Sequence, residues 1–244
     1  MEALNCRLLP WEIADGPINM AADEVLVRTA AEQGMASLRF YGWNPATLSL
    51  GYFQPAAARL AVPRLAALPF VRRPSGGATL VHDREVTYAL ALPPGTGWFA
   101  GGPWLPRMHQ IIAAALARLG VQAAQPTAEV IAGDILCFQQ FMPADLVCGA
   151  HKIVGSAQRK YHQALLQHGS ILLQRSEHTP DLPGLYELTG RGVTVAAMRD
   201  AVIESFAQAS GWKMVPSDWS PKERDLIRVL AVEKYATADW NEKR

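Results

Sequence analysis

Two stretches of the chain set cations beside small residues. The first, from Val71 to Pro93, reads VRRPSGGATLVHDREVTYALALP. Arg72 and Arg73 precede a Ser75-Gly76-Gly77 turn, and His82-Asp83 follows a short apolar run. Backbone without Cβ atoms lets N–H groups approach a ligand closely, and concave N–H arrays bind anions. An adjacent guanidinium supplies a planar fork suited to phosphate or carboxylate. A plain hairpin with a glycine turn and a surface arginine pair accounts for the same residues, because one Gly-Gly is a weak signal. The second stretch, Lys152 to Leu173, reads KIVGSAQRKYHQALLQHGSILL. It repeats the grammar with Lys152, the small patch Gly155-Ser156-Ala157, and a strand-like run that holds His168-Gly169. Two strand–small-residue–strand units, each with a cation, can face one another across a groove.

The cysteines are Cys6, Cys137 and Cys148, an odd number that makes no disulfide framework. A cysteine acts as a nucleophile through its thiolate, which a nearby cation favours. Residue types alone leave Cys137 open between a buried core cysteine and such a nucleophile, since free cysteine is among the most buried residue types. Cys6 and Cys148 read as core. Cys148 and His151 have a Cys-x-x-His look, but no second pair lies at zinc-site spacing, so no metal site is expected. His82 and His168 each sit near a small-residue turn, where a histidine either orients a ligand or is simply a satisfied structural side chain.

The elements that must carry these residues follow from pattern. Cys6 to Ile13 reads as a first strand, and Asp15-Gly16-Pro17 opens a helix with Met20, Ala21 and Leu26 near one face. Ser37 to Trp43 and Thr47 to Tyr52 read as strands joined around Asn44-Pro45, and Glu85 to Leu92 as another. The Ala-rich run from Pro55 to Leu68 reads as helical, broken or kinked at Pro63. Pro93 to Pro106 is a Gly/Pro/Trp-rich loop expected to help cover a pocket. Met108 to Leu119 is a helix stopped by Gly120, and Thr127 to Gly133 reads as a strand. Ala144 to Val147 and His151 to Arg159 read as paired strands around Gly149. Helical pieces close the chain: one begun by Thr179-Pro180-Asp181, one from Val195 to Ser210, and one capped by Ser220-Pro221.

Composition bounds the function. A chain of 244 residues with 50% hydrophobic content fits one good-sized domain spanning 1–244, the C-terminal helices packed on it. A net charge of +1 argues against a nucleic-acid partner. No apolar run reaches membrane-spanning length, and the first residues lack a basic-then-apolar signal pattern, so a cytoplasmic protein without membrane association is expected.

RRPSGGATLVHD, KIVGSAQRK and HGSILL, in this order and at these spacings, resemble the catalytic domain shared by lipoate-protein ligases, biotin-protein ligases and octanoyltransferases. GPINMAADEVLV, LRFYGWNPATLSLGYFQ and LAVEKYATADWN extend the resemblance from near the N-terminus to Asn241. It implies an α+β fold with a mixed, largely antiparallel sheet flanked by helices, and a pocket walled in part by the tryptophan and the SLGYFQ run. Ligases of this kind carry a third glycine after the Gly-Gly. Here Ala78 follows Gly77, and HDREVTYALALP is similar to the octanoyltransferases that use carrier-bound octanoate. In that group a cysteine-phenylalanine pair precedes the lysine motif, and Cys137-Phe138 holds that place, 15 residues before Lys152. The FQQFMPAD that follows departs from the proline-serine-tyrosine type of sequence in the group.

The resemblance therefore implies that Cys137 is the acyl-thioester nucleophile. Lys152 is then its cation, or shuttles a proton between thiol and incoming amine. Arg73, Ser75, Gly76, Gly77, His82, Gly155, Ser156, Ala157, His168 and Gly169 become substrate-binding residues. The implied donor is octanoyl-acyl carrier protein, and the acceptor a lysine of a lipoyl-domain protein or the glycine-cleavage H protein, with no cofactor. Arg159-Lys160 or Arg72 is expected to supply a basic patch for the carrier. Two other readings stay open. An ATP-dependent lipoate-protein ligase would bind its adenylate phosphate with Arg72, Arg73 and Lys152. A non-catalytic relative would only hold a lipoyl group or a partner protein.

Overall fold

The computed structural model describes residues 4–96, 103–126 and 136–244. Its strands are β1 (Asn5–Leu8), β2 (Glu12–Ala14), β3 (Ala36–Trp43), β4 (Thr47–Leu50), β5 (Phe70–Arg72), β6 (Leu80–His82), β7 (Glu85–Leu92), β8 (Leu146–Cys148), β9 (His151–Tyr161), β10 (Ala164–Leu172) and β11 (Lys213–Pro216). Its helices are α1 (Gly16–Gln33), α2 (Pro63–Ala66), α3 (Trp104–Arg118), α4 (Leu185–Thr189), α5 (Val195–Ser210), α6 (Pro221–Leu230) and α7 (Ala238–Asn241).

The larger sheet runs β11-β1-β3-β7-β10-β9-β8, with β2 also paired to β3. The ladders from β3 through β7, β10 and β9 to β8 are antiparallel, while those of β1 and β2 with β3, and of β1 with β11, are parallel. A second sheet of three strands runs β5-β4-β6. This is the mixed, largely antiparallel α+β architecture that the sequence leads one to expect.

Each face of the large sheet has its own core. On one side, Phe40, Tyr88, Leu90 and Val154 pack against Met108 and Ile112 of α3 and Val202 and Phe206 of α5. On the other, Tyr41, Ala89, Ala91 and Leu166 pack against Met20, Val25 and Leu26 of α1. Helix α1 begins where Asp15 Oδ1 accepts from Ile18 N at 2.9 Å, an N-cap that satisfies one of the free donors of the first turn. Asn19, Asp23 and Glu24 are buried on this helix beside the apolar residues. Such buried polar side chains need partners: Asn19 has Arg39 and the carbonyls of Ala14 and Gly42, Glu24 has Arg28, Lys234 and Tyr235, and Asp23 finds its own at the site below.

Several sequence expectations change here. Val71 to Pro93 is not a hairpin: β5 and β6 do not pair with each other but flank β4 on either side, so the glycine loop crosses the end of that strand. Gly155-Ser156-Ala157 is not a turn but the middle of β9, and His168 faces Ala157 from the middle of β10. The turn of that hairpin is His162-Gln163, both at positive φ. The strands around Asn44-Pro45 belong to different sheets, because the chain leaves the large sheet there for the small one. The first strand divides at Leu9-Pro10 into β1 and β2, and β11 adds a strand to a C-terminal part read as helical. Pro63 opens α2 instead of merely interrupting a helix, as suits a residue with a preset φ and no N–H. The strand expected over Thr127 to Gly133 lies outside the described residues, as does 97–102 of the loop expected to cover the pocket.

Candidate active site

The pocket lies between the two sheets, over the α1 face of the large one. In adjacent strands, directly paired residues share a face. One such row is Ala157, His168, Ala89 and Arg39, and the next is Gly155, Ser170, Thr87 and Tyr41. Ser49, Leu80, His82, Arg73 and Gly77 come from the small sheet and its loop, Met20 from α1, and Cys137 and Phe138 from the single helical turn that follows Leu136. The pocket they line opens to solvent and is mostly apolar.

Cys137 is half-buried at this pocket, with Sγ 3.7 Å from Lys152 Nζ. Lys152 is almost wholly buried. Its Nζ donates to Asp145 Oδ2 at 2.6 Å, Gln140 O at 3.1 Å and Cys137 O at 3.2 Å. An ammonium has three protons, and here three oxygens and the Cys137 sulfur share them. The lysine thus clamps the cysteine's own turn while its charge lies against the sulfur. Asp145 Oδ2 also accepts from Met142 N at 2.8 Å, which fixes the turn that carries it. Gly155 makes room for this arrangement, since a Cβ there would lie 2.6 Å from Lys152 Cε.

Arg73 braces the glycine loop. Its guanidinium donates to Gly76 O, Ala78 O, Ser49 O and Ser49 Oγ at 2.6–3.2 Å. Burial pulls its pKa below the usual arginine value, and the charge of Cys137 opposes that, which places the two groups in one electrostatic neighbourhood. Gly77 sits at φ +92°, a conformation that L side chains rarely adopt.

His168 Nδ1 lies 2.7 Å from Asp23 Oδ2, and its Nε2 lies 2.5 Å from Ser75 Oγ. Asp23 is fully buried and also accepts from Arg39 at 3.1 Å and from Tyr41 Oη at 2.9 Å. Burial, with Asp23 beside it, raises the Tyr41 pKa well above the ordinary phenol value and keeps its proton. His82 stacks on Trp43 at 3.9 Å between centroids, with Nδ1 2.6 Å from Glu85 Oε1 and Nε2 2.8 Å from Ser49 Oγ. Thr87 and Ser170 hydroxyls donate to the same Glu85 oxygen. On the opposite face, Ser156 Oγ is 2.6 Å from His109 Nε2 and from Tyr88 Oη, and His109 Nδ1 hydrogen-bonds the Ala144 carbonyl.

The description "lipoyl protein ligase A/B catalytic domain" matches residues 15–179, well over half the chain. The chain belongs to that family. Relatives of similar length carry the name octanoyltransferase LipM. One, from Kyrpidia tusciae, is 31% identical over 98% of both chains, and one from Bacillus subtilis is 32% identical over the whole of both. Among solved structures, a protein of T. acidophilum described as a lipoate protein ligase, with lipoic acid bound, superposes with a TM-score of 0.82 over 99% of this chain and 100% of that one, at 22% identity. A lipoate-protein ligase A bound with ATP gives 0.81 at 22% identity, over 98% and 99%. At that identity the likeness establishes the fold.

Within this family member the structure brings Cys137, Arg73, Gly77, His82, Gly155, Ser156, Ala157, His168 and Gly169 to one pocket, with Lys152 behind the lining against Cys137. Ser75 and Gly76 stand behind the lining, Ser75 holding His168 and Gly76 giving its carbonyl to Arg73. Arg72 does not belong to a surface patch. It is fully buried, and its guanidinium donates to carbonyls of Gly51, Tyr52, Gln54 and Asn241, which ties the C-terminal α7 to the loop after β4. Asp145, Asp23, Glu85, Ser49 and His109 went unread in the sequence. His109 had a signal, because it shares a helical face with Ile112 and Leu116. Asp23 is four residues from Asn19, so both turn toward the same strand.

Proposed function

We propose that this protein is an octanoyltransferase of lipoate assembly that works as one catalytic domain through a thioester on Cys137. The observation that carries this is the Cys137 sulfur 3.7 Å from the Lys152 ammonium, at an apolar pocket. It is joined by the name shared by full-length relatives at 31–32% identity. In the first step the Cys137 thiolate, stabilised by that cation, attacks the thioester carbonyl of octanoyl-acyl carrier protein. The C–S bond to the carrier breaks and the carrier thiolate takes a proton from water. In the second step the neutral amine of a lipoyl-domain or H-protein lysine attacks the octanoyl-Cys137 carbonyl. An amide forms, the surplus amine proton passes to water, and Cys137 departs as a thiolate beside Lys152. Thioester exchange is nearly balanced and amide formation runs downhill, so neither step needs ATP.

Tyr41, Trp43, Leu80 and Phe138 offer the fatty chain its walls, and Arg73 keeps the glycine loop closed over it. The test is incubation with octanoyl-acyl carrier protein, followed by mass spectrometry of the cysteine peptides. An octanoyl adduct on Cys137, and no transfer by Cys137→Ala, is expected. A wild type without the adduct, full transfer by Cys137→Ala, or transfer that requires ATP and free acid would overturn the reading.

A further inference from the structure

The place of Lys152 beside Cys137 depends on a turn outside the pocket lining. Lys152 Nζ meets Asp145 Oδ2 at 2.6 Å, and Asp145 lies just before the edge strand β8. The turn is closed locally, with Asp145 N donating to Met142 O and Met142 N to Asp145 Oδ2. Behind it stands His109 of α3, fully buried on the face of the large sheet away from the pocket.

We infer that His109 is a positioning residue for the cysteine–lysine pair: by holding the Ala144 carbonyl it fixes where Asp145 places the Lys152 ammonium. His109 Nδ1 hydrogen-bonds that carbonyl, one residue from Asp145, and Nε2 lies 2.6 Å from Ser156 Oγ. A carbonyl only accepts, so Nδ1 carries the ring proton and Nε2 accepts from the Ser156 hydroxyl. The donors behind Ser156 run in the same sense. Gln158 donates to Gln167 Oε1 at 2.8 Å, Gln167 Nε2 to Tyr88 Oη at 2.9 Å, and Tyr88 Oη to Ser156 Oγ at 2.6 Å. Every proton in the chain has an acceptor, and His109 is where it ends.

Place gives this hydrogen bonding its consequence. Ser156 alternates along β9 with Gly155 and Ala157, so its hydroxyl faces α3 while they face the pocket. Lys152 is on the same strand, packed against Gly155. The rigid imidazole therefore braces β9, which carries the lysine, against the turn that carries its carboxylate. Burial pulls the His109 pKa below 6.5, and Asp145 and Lys152 act on it in opposite directions, so the three groups share one electrostatic neighbourhood.

His109 touches no reacting atom. Its effect passes through Asp145 to Lys152, whose Nζ is 3.7 Å from the Cys137 sulfur. With the brace in place the ammonium stabilises the thiolate. Without the bond to Ala144 the turn relaxes, the ammonium leaves the sulfur, and less thiolate forms at a given pH.

The inference builds on the octanoyl-Cys137 reading, and its main measurement needs no acyl donor. His109→Asn sets an amide nitrogen where Nδ1 stands and keeps a donor for Ala144. His109→Gln carries its amide at the Nε2 end and loses that donor. The rate of iodoacetamide labelling of Cys137 is followed against pH in wild type and both variants, alongside melting temperature. His109→Gln is expected to move the midpoint of the profile up by about one pH unit, and His109→Asn to leave it in place. Loading from octanoyl-acyl carrier protein should slow about 10-fold in His109→Gln alone. A His109→Gln profile that coincides with wild type overturns the inference, and a lowered melting temperature beside it marks a purely structural histidine. An upward shift in His109→Asn also overturns it, which keeps the test decisive should His109→Gln fail to fold. A wild type that labels as expected but never takes octanoate would instead sink the octanoyl reading.

Discussion

Asp145 Oδ2 lies 2.6 Å from Lys152 Nζ, with the two side chains 5% and 3% exposed. This pair helps hold the Cys137 turn, because Lys152 bridges Asp145 to the carbonyls of Cys137 and Gln140, beside the bond from Cys137 N to Thr79 O. Breaking a buried pair by removing one partner leaves the other charge uncompensated. Asp145→Ala is expected to lower stability by about 3–5 kcal/mol in urea unfolding. The double variant Asp145→Leu with Lys152→Met, which buries no charge, is expected to be more stable than Asp145→Ala alone while remaining inactive. A single variant as stable as wild type would show that water already reaches the pair.

The cysteines should separate sharply by reactivity. Cys6 is fully buried, and burial pushes its thiol up to about 12 against the small opposing pull of Arg7. Cys137 is half-buried beside a cation. Brief iodoacetamide treatment of the folded protein at pH 8 is expected to label Cys137 and leave Cys6 untouched, as read by peptide mass spectrometry. Pre-loading with octanoate should protect Cys137. Labelling of Cys6 at a comparable rate would contradict the burial that the fold gives it.

Gly155 offers a probe that changes no charged group. A Cβ added there meets Lys152 Cε at 2.6 Å, and Lys152 is tethered by three acceptors, so its displacement moves Nζ away from the sulfur. Gly155→Ala is expected to fold, with a modest loss of melting temperature, yet to form the Cys137 adduct at least about 10-fold more slowly, the equivalent of about 1.4 kcal/mol. Adduct formation at the wild-type rate would show that the position of the lysine is not critical.

These arguments also mark what the sequence carried. The strand–glycine loop–strand order was legible because local residue types encode it, whereas the Cys137–Lys152 pair was legible only through the family resemblance, since residue types alone left Cys137 open. Ser75's role was not, because it depends on His168, 93 residues away, meeting it across two sheets. Arg72 and Arg73 look alike in the sequence, but the end of β5 turns one toward the carbonyls around Asn241 and the other toward Ser49 and the glycine loop. Adjacent residues of a strand point to opposite sides, and which side holds the pocket is fixed only by how the small sheet packs. Asp145 was read as part of a strand, whereas it lies in the turn just before β8, where its side chain bends back to Met142 N and Lys152.

His109 gives the site a pH limit that can be measured apart from activity. Burial pushes its pKa below the ordinary 6.5, against the opposing effects of the Ala144 carbonyl and Asp145, with Lys152 adding to the depression. Its Nδ1 proton goes to the Ala144 carbonyl, so the neutral ring accepts from Ser156 at Nε2. The unfolded chain takes up a proton near pH 6.5 while the folded ring does not. Stability from this group is thus full above pH 6.5 and is lost as pH falls toward the depressed folded value. Glu24 and Glu223 act in a lower window. Burial alone would raise both, but hydrogen bonds from Lys234 and Tyr235, and from Arg7, lower them below 4.5, so their contributions persist until pH falls past that value. Between pH 7 and 5, unfolding free energy should therefore decline with a slope to which His109 contributes up to about 1.4 kcal/mol per pH unit. In His109→Gln, which keeps a hydrogen-bonding side chain without a proton equilibrium, that slope should flatten. Equal slopes in urea titrations of the two proteins would show that the imidazole exchanges protons as freely when folded as when unfolded.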